Sequence, residues 1–148
     1  MTADDSAHEV YEAWAPTYEQ DLIEGYGYNA HRIGAHALAE AGVDRSSAVI
    51  DMGCGTGLVA QCLRDEGFSC IDGADASPEM LQVAKSKGVY RNLLHVDLTA
   101  PDALAPKTYA AGVAVGVFGG GHIGPQHLAC FAGPIQPGGL IALFANGI

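Results

Sequence analysis

One stretch constrains the fold more than any other: Val49-Ile50-Asp51-Met52-Gly53-Cys54-Gly55-Thr56-Gly57. An apolar run meets an acid, then glycines at alternate positions, and a helical pattern starts at once after them. Glycine lacks a Cβ, so the backbone can turn tightly off a strand and let a ligand approach the main chain itself. Open α/β sheets bind small molecules there, beyond the carboxyl end of a strand. The stretch predicts a nucleoside-cofactor crevice.

The remaining pattern supplies the sheet around it. Residues 30–41 read as a helix stopped by Gly42, 48–52 as a buried strand, and 56–66 as a helix closed by Gly67. Residues 68–74 read as the next strand. Ser77-Pro78-Glu79 is a strong helix start, with Ser as N-cap and Pro at the first helical position. That helix runs to Lys87 and stops at Gly88. Residues 93–96 and 109–117 read as strands, 126–132 as a helix, 136–139 as a turn and 140–144 as a last strand. Strands alternating with helices predict a parallel sheet covered on both faces.

At 148 residues, 49% of them hydrophobic, the chain is expected to form a single globular domain with one core. Residues 1–29 form an arm with seven acids and no Lys or Arg, yet with Tyr11, Trp14, Tyr18, Tyr26 and Tyr28. So many aromatics argue against a disordered acidic tail and for helical segments folded over the body. No apolar run reaches the roughly 20 residues of a membrane span. Asp4, Asp5 and Glu9, with no basic residue near them, do not suit a signal peptide. The net charge is −10 with only seven basic residues, a poor match to a nucleic-acid backbone. Cys54, Cys62, Cys70 and Cys130 form no CxxC pair, so reduced thiols and a cytoplasmic location are expected, with Cys62 and Cys70 as core residues. His31, His36 and His127 show no metal-ligand spacing with cysteines, and no metal is expected.

Which nucleoside is decided by charge. Asp51, Asp75 and Asp97 recur at strand ends, Asp75 lying eighteen residues past Gly57, which suits hydrogen bonding to a ribose diol. Asp97 is placed to accept from an adenine amine. Gly55-Thr56-Gly57-Leu58-Val59-Ala60 formally satisfies the GxGxxG/A pattern of nicotinamide enzymes. That reading buries Asp51 without an evident partner and sets a pyrophosphate beside it with no Lys or Arg nearby. No P-loop pattern occurs. A cofactor with a positive sulfonium and an ammonium fits better, because the acids then attract it. S-adenosylmethionine carries both, and its carboxylate suits the N-terminus of the helix after the glycines.

The chain resembles the class I S-adenosylmethionine-dependent methyltransferases. Residues 49–57 are similar to their first motif, and Gly73-Ala74-Asp75-Ala76-Ser77-Pro78-Glu79-Met80-Leu81 to their second. His95-Val96-Asp97-Leu98 resembles the adenine-contacting segment, and Gln136-Pro137-Gly138-Gly139 the turn before the fifth strand. Tyr11-Glu12-Ala13-Trp14-Ala15 through Tyr18-Glu19-Gln20-Asp21, followed by Gly25-Tyr26, resembles the Williams–Beuren-region methyltransferase-like group. The resemblance implies a Rossmann-like sheet of strand order 3-2-1-4-5, here without the family's strands six and seven. It implies a cofactor site of Gly53, Cys54, Gly55, Thr56 and Gly57, with Asp75, Ala76 and Met80 around the ribose and Asp97 and Leu98 at the adenine. Asp51 either meets the cofactor amine through water or ties down the glycine loop. Tyr18 either covers the methionine end or packs in the core. Gly116 lies against the cofactor, and His122 is the candidate general base for an acceptor that must lose a proton.

The expected activity is methyl transfer to a small-molecule acceptor, leaving S-adenosylhomocysteine. The alternative is a cofactor-binding module without catalysis of its own, or one whose substrate site a partner chain completes. Leu140-Ile141-Ala142-Leu143-Phe144 is apolar and uncharged, so homodimerisation through this fifth-strand edge is expected, or its coverage by the arm. Neither nucleic acid nor membrane is an expected partner.

Overall fold

The computed structural model describes residues 29–116 and 124–144. They form β1 (Ala48–Met52), β2 (Cys70–Asp75), β3 (Asn92–His95), β4 (Tyr109–Val115) and β5 (Ile135–Phe144). The helices are α1 (Ala30–Glu40), α2 (Leu58–Asp65), α3 (Pro78–Ser86) and α4 (Leu128–Ala132), the last preceded by a 3₁₀ turn at Pro125–His127. The sheet is parallel throughout, in the order β3-β2-β1-β4-β5. The parallel sheet is the one expected from the alternating pattern, and its Rossmann-like strand order the one implied by the family resemblance.

Each central strand carries apolar residues on both sides because each side is covered. Val49, Ile71, Ala111 and Val113 pack with Ala35 and Leu38 of α1 and Val59, Ala60 and Leu63 of α2. Ile50, Met52, Ala74 and Ala114 face the other way, onto Leu98, Leu104, Tyr109 and Phe131. Burying each large side chain of these layers is worth about 1.5–3 kcal/mol before entropy is counted. Gly42 and Gly67 end α1 and α2 as expected: Val43 and Phe68 each donate back to a carbonyl five residues earlier.

Element boundaries differ from the sequence reading in physically instructive places. α2 begins at Leu58, not at 56, because Gly57 is its left-handed N-cap at φ +98°. β2 runs from Cys70 through Asp75, so the strand carries two acids, Asp72 and Asp75. β3 starts and ends one residue early. The expected turn at 136–139 lies inside β5: Tyr109 pairs with Ile135, but Ala111 pairs with Leu140. Two steps along β4 therefore face five along β5, and the intervening residues loop out as a bulge. Cys62 and Cys70 are half-buried rather than core residues, and all four cysteines are free thiols. β5 is an edge strand among the described residues, with Leu140 and Leu143 37% and 42% exposed. No helix among the described residues is long and apolar enough to cross a membrane.

Candidate functional site

Four parallel strands deliver their last residues to one edge, and the glycine loop is fastened there. The N–H groups of Gly53 and Cys54 both donate to the Ala74 carbonyl, at 2.8 and 2.9 Å. Gly55 N–H donates to Asp75 Oδ2 at 2.9 Å. Gly53, Gly55 and Gly57 hold φ of +71°, +54° and +98°. A side chain in that region costs roughly 1–2 kcal/mol. The alternate glycines are thus required by the path of the loop, which coils along the end of β2 with Gly53 and Gly55 half-buried and Gly57 buried.

The residues between them are buried. Thr56 is 1% exposed, and its Oγ1 has no hydrogen-bond partner among the described residues. Cys54 is also buried, and burial first, then the charges of Asp51 and Asp75, push its thiol well up. It stays protonated and is a poor nucleophile. α2 begins with no side chain capping its first turn, which leaves N–H groups open for an anion.

Asp75 is the hub of the loop rather than a dangling acid. Its Oδ1 accepts from Ser77 N–H at 2.9 Å while Oδ2 holds Gly55. Ser77 caps α3 by accepting from Met80 N–H at 3.3 Å, as its position before Pro78 predicts. Ala76 is exposed beside them, and its carbonyl accepts from His95 Nε2 at 3.0 Å, which ties the end of β3 to the end of β2. Met80 and Leu98 are buried. Asp97 is exposed and closes a local turn, its Oδ1 accepting from the N–H and hydroxyl of Thr99 at 2.9 and 2.6 Å. Gly116 follows β4 at φ +72°, its N–H donating to the Phe144 carbonyl at 3.0 Å. Tyr18, His122 and the N-terminal arm lie outside the described residues.

Asp51 is 1% exposed inside β1. The burial expected to be costly for want of a partner is met by Tyr90, whose hydroxyl donates to Asp51 Oδ2 at 2.8 Å. Burial raises the Asp51 pKa to about 7, the Tyr90 hydrogen bond opposing and the Asp75 charge adding. Tyr90 precedes β3 and is 39 residues from Asp51, so no spacing in the sequence joins them. Its ring crosses β2 over Gly73, where a Cβ would stand 2.6 Å from Cε1, and reaches Gly57, where a Cβ would stand 3.3 Å from Cε2. Lys87 also approaches the loop, its Cγ 3.6 Å from a Cβ at Gly57. The sequence reading placed no basic residue there; the end of α3 supplies one through the fold.

A second buried acid escaped the sequence reading altogether. Asp72, with no exposed surface, accepts from Arg91 Nε and Nη2 at 2.9 and 3.0 Å, from Tyr109 Oη at 2.7 Å and from Asn92 Nδ2 at 3.3 Å. Burial pushes its carboxyl up, but the Arg91, Tyr109 and Asn92 donors outweigh burial and hold it below the ordinary value. The findable signal was an acid inside an apolar strand, which demands a cation elsewhere.

The methyltransferase-domain family profile matches residues 49–135, from β1 to the first rung of β5. The chain belongs to the methyltransferase-domain family. Human methyltransferase-like protein 27 is 36% identical over 140 residues, which are 90% of this chain and 55% of the human protein. The chain thus spans about half the length of that curated relative. CalS10 from Micromonospora echinaspora, an amino pentose methyltransferase solved with S-adenosylmethionine bound, shares the fold at a TM-score of 0.69 and 20% identity, over 88% of this chain and 57% of that one. A chain of the Haloferax volcanii complex containing the Trm112 methyltransferase activator matches at 0.63 and 26%, over 87% and 57%.

Proposed function

We propose that this chain binds S-adenosylmethionine at the carboxyl edge of its sheet and transfers the methyl group to a small-molecule acceptor. The observation that carries the reading is Asp51, a buried carboxyl facing a neutral hydroxyl and another acid, beneath a loop of left-handed glycines. Surroundings of that kind favour a cation. The partnerless Thr56 hydroxyl and the uncapped start of α2 supply a donor and an anion site beside it. These residues fit the cofactor, with its ammonium, sulfonium and carboxylate. When bound, its sulfonium supplies an activated methyl group and a neutral thioether leaving group.

The chain's own residues then orient and shield. Gly53, Cys54, Gly55, Thr56 and Gly57 present backbone to the methionine end. Asp75, fixed by Gly55 and Ser77, meets the ribose, with Ala76 and Met80 beside it. Asp97 and Leu98 flank the adenine, and Gly116 borders the reacting face. Tyr18 covers the methionine end, and His122 takes the acceptor's proton where the acceptor has one to lose. Holding the acceptor in line and excluding water is most of the catalysis. The acidic charge and the sugar-modifying neighbour support a small acceptor over a nucleic acid. The free thiols support a reducing, cytoplasmic compartment. The exposed Leu140 and Leu143 on the edge of β5 support self-association there, which sedimentation velocity tests.

Calorimetric titration with S-adenosylmethionine and S-adenosylhomocysteine is the decisive test. Micromolar binding of either is the expected result, and no heat from a folded sample sinks the reading. A second reading, a binding module completed by a partner chain, is supported by the activator in the Haloferax complex. Binding without S-adenosylhomocysteine formation across a broad acceptor panel decides for that second reading.

A further inference from the structure

We propose that Tyr90 is the positioning residue of the cofactor cradle: by donating to Asp51 and lying across Gly73 and Gly57, it keeps the Asp51 carboxylate available to a cationic ligand near neutral pH. The proposal rests on the cofactor reading above and adds a residue that lies in none of the four motifs.

Three observations converge on Tyr90. Its hydroxyl, 2.8 Å from Oδ2, is the hydrogen-bond donor to an acid that is 1% exposed. Its ring occupies the space that any side chain at Gly73 would need, the clash distance being 2.6 Å. The opposite ring edge lies 3.3 Å from a Cβ at Gly57, the N-cap of α2. One side chain from the segment before β3 therefore braces β1, β2 and the glycine loop at once. A tyrosine held on that path is oriented by the glycine beneath it, which brings its hydroxyl to Asp51 and beside the Cys54 thiol.

The neighbours of Asp51 give the hydroxyl its leverage. Asp75 faces it from the end of β2 and disfavours its charge; the Cys54 thiol lies beside it in the loop and is itself held protonated. Lys87 reaches the loop from the end of α3, and α1, packed on β4, carries the buried His31. The Tyr90 hydroxyl opposes the burial of Asp51 directly, and burial and the Asp51 charge keep that hydroxyl protonated, so it remains a donor across the working range. When a cation binds, Asp51 gives up its proton to solvent, and affinity rises with pH until the carboxylate is fully formed. Losing the Tyr90 donor makes that proton harder to remove and displaces the rise to higher pH.

The test is calorimetric titration of S-adenosylmethionine between about pH 5.5 and pH 7.5, below the midpoint at which its own α-amino group titrates. It compares the wild type with Tyr90→Phe and Asp51→Asn, in two buffers of different ionisation enthalpy. The wild type should gain affinity with pH and release protons. Tyr90→Phe should bind about tenfold more weakly at pH 7 and show the rise displaced upward. Asp51→Asn, which keeps an acceptor for Tyr90, should lose the pH dependence and the proton release. An equal loss at every pH in Tyr90→Phe, or no loss, overturns the proposal and leaves the cofactor reading standing. Persistent proton release in Asp51→Asn overturns it even if Tyr90→Phe does not fold. A folded wild type that binds nothing overturns both.

Discussion

Asp51 and Asp72 are buried acids on neighbouring strands with opposite fates. Asp51 pairs in register with Gly73, so Asp72, one residue earlier, points to the other face of the sheet. Asp72 receives a guanidinium fork, a phenol and an amide, and is held ionised. Asp51 receives one phenol and faces another acid, and its pKa rises to about 7. The first acid is complete within the fold. The second is left short of a cation, at the edge where a ligand would arrive. Burial alone does not mark a functional acid; burial without a countercharge makes it a candidate.

The largest effect should come from breaking the complete pair. Arg91→Met leaves Asp72 buried without its cation and should cost about 2–3 kcal/mol in urea unfolding, moderated because Arg91 is half exposed. Cofactor affinity should not change, since this cluster lies on the other face. If affinity falls in step with stability, the two acids are not independent.

Next in size is the pH dependence of stability, whose sign differs between the two acids. The folded pKa of Asp72 is depressed, so its contribution is present above the unfolded carboxyl value and disappears as acid drives pH down through the folded one. The folded pKa of Asp51 is raised, so the native state keeps a proton that the unfolded chain has released. Stability from this group therefore declines as pH climbs from about 4 to about 7. Asp51→Asn should remove that decline and stabilise the protein at pH 8 by on the order of 2 kcal/mol, read as a higher Tm, while weakening the cofactor. A variant no more stable at pH 8 than at pH 5, relative to wild type, would contradict the raised pKa of the buried Asp51.

A subtler probe moves Tyr90 without touching either partner. Gly73→Ala puts a methyl 2.6 Å from the Tyr90 ring and should cost about 1–3 kcal/mol. Its cofactor titration should show the same displaced pH profile as Tyr90→Phe. The smallest effect concerns acids at the surface. His36 on α1 lies 2.9 Å from Glu66 and 3.1 Å from Glu40, and the Glu66 hydrogen bond first, then the charges of both acids, raise its pKa against slight desolvation. Its contribution is present below the unfolded histidine value and fades as pH rises through the folded one. His36→Ala should lower Tm slightly at pH 5.5 and not at pH 8.5.

The legible part of the molecule was the part written in local pattern. Alternating apolar segments, the Ser77-Pro78 start of α3, and Gly42 and Gly67 as stops are properties of a few adjacent residues, and the strand order followed from a family resemblance. The glycines of the loop were legible because their backbone path admits little else. Tyr90 and the Asp72 cluster were not, since each joins residues that the chain brings together only by crossing the sheet. The four residues at 136–139 were read rightly as a break but wrongly as lying before the strand, because the single rung at Ile135 ahead of them carries no pattern of its own.

That looped-out segment offers a practical handle. Gly138 has nothing within 4 Å of a Cβ, whereas Gly139 meets backbone at 2.7 Å and has to stay. A short epitope or a fluorescent label spliced between Pro137 and Gly138 would hang off the sheet's rim and leave the hydrogen-bond ladder on either side in step.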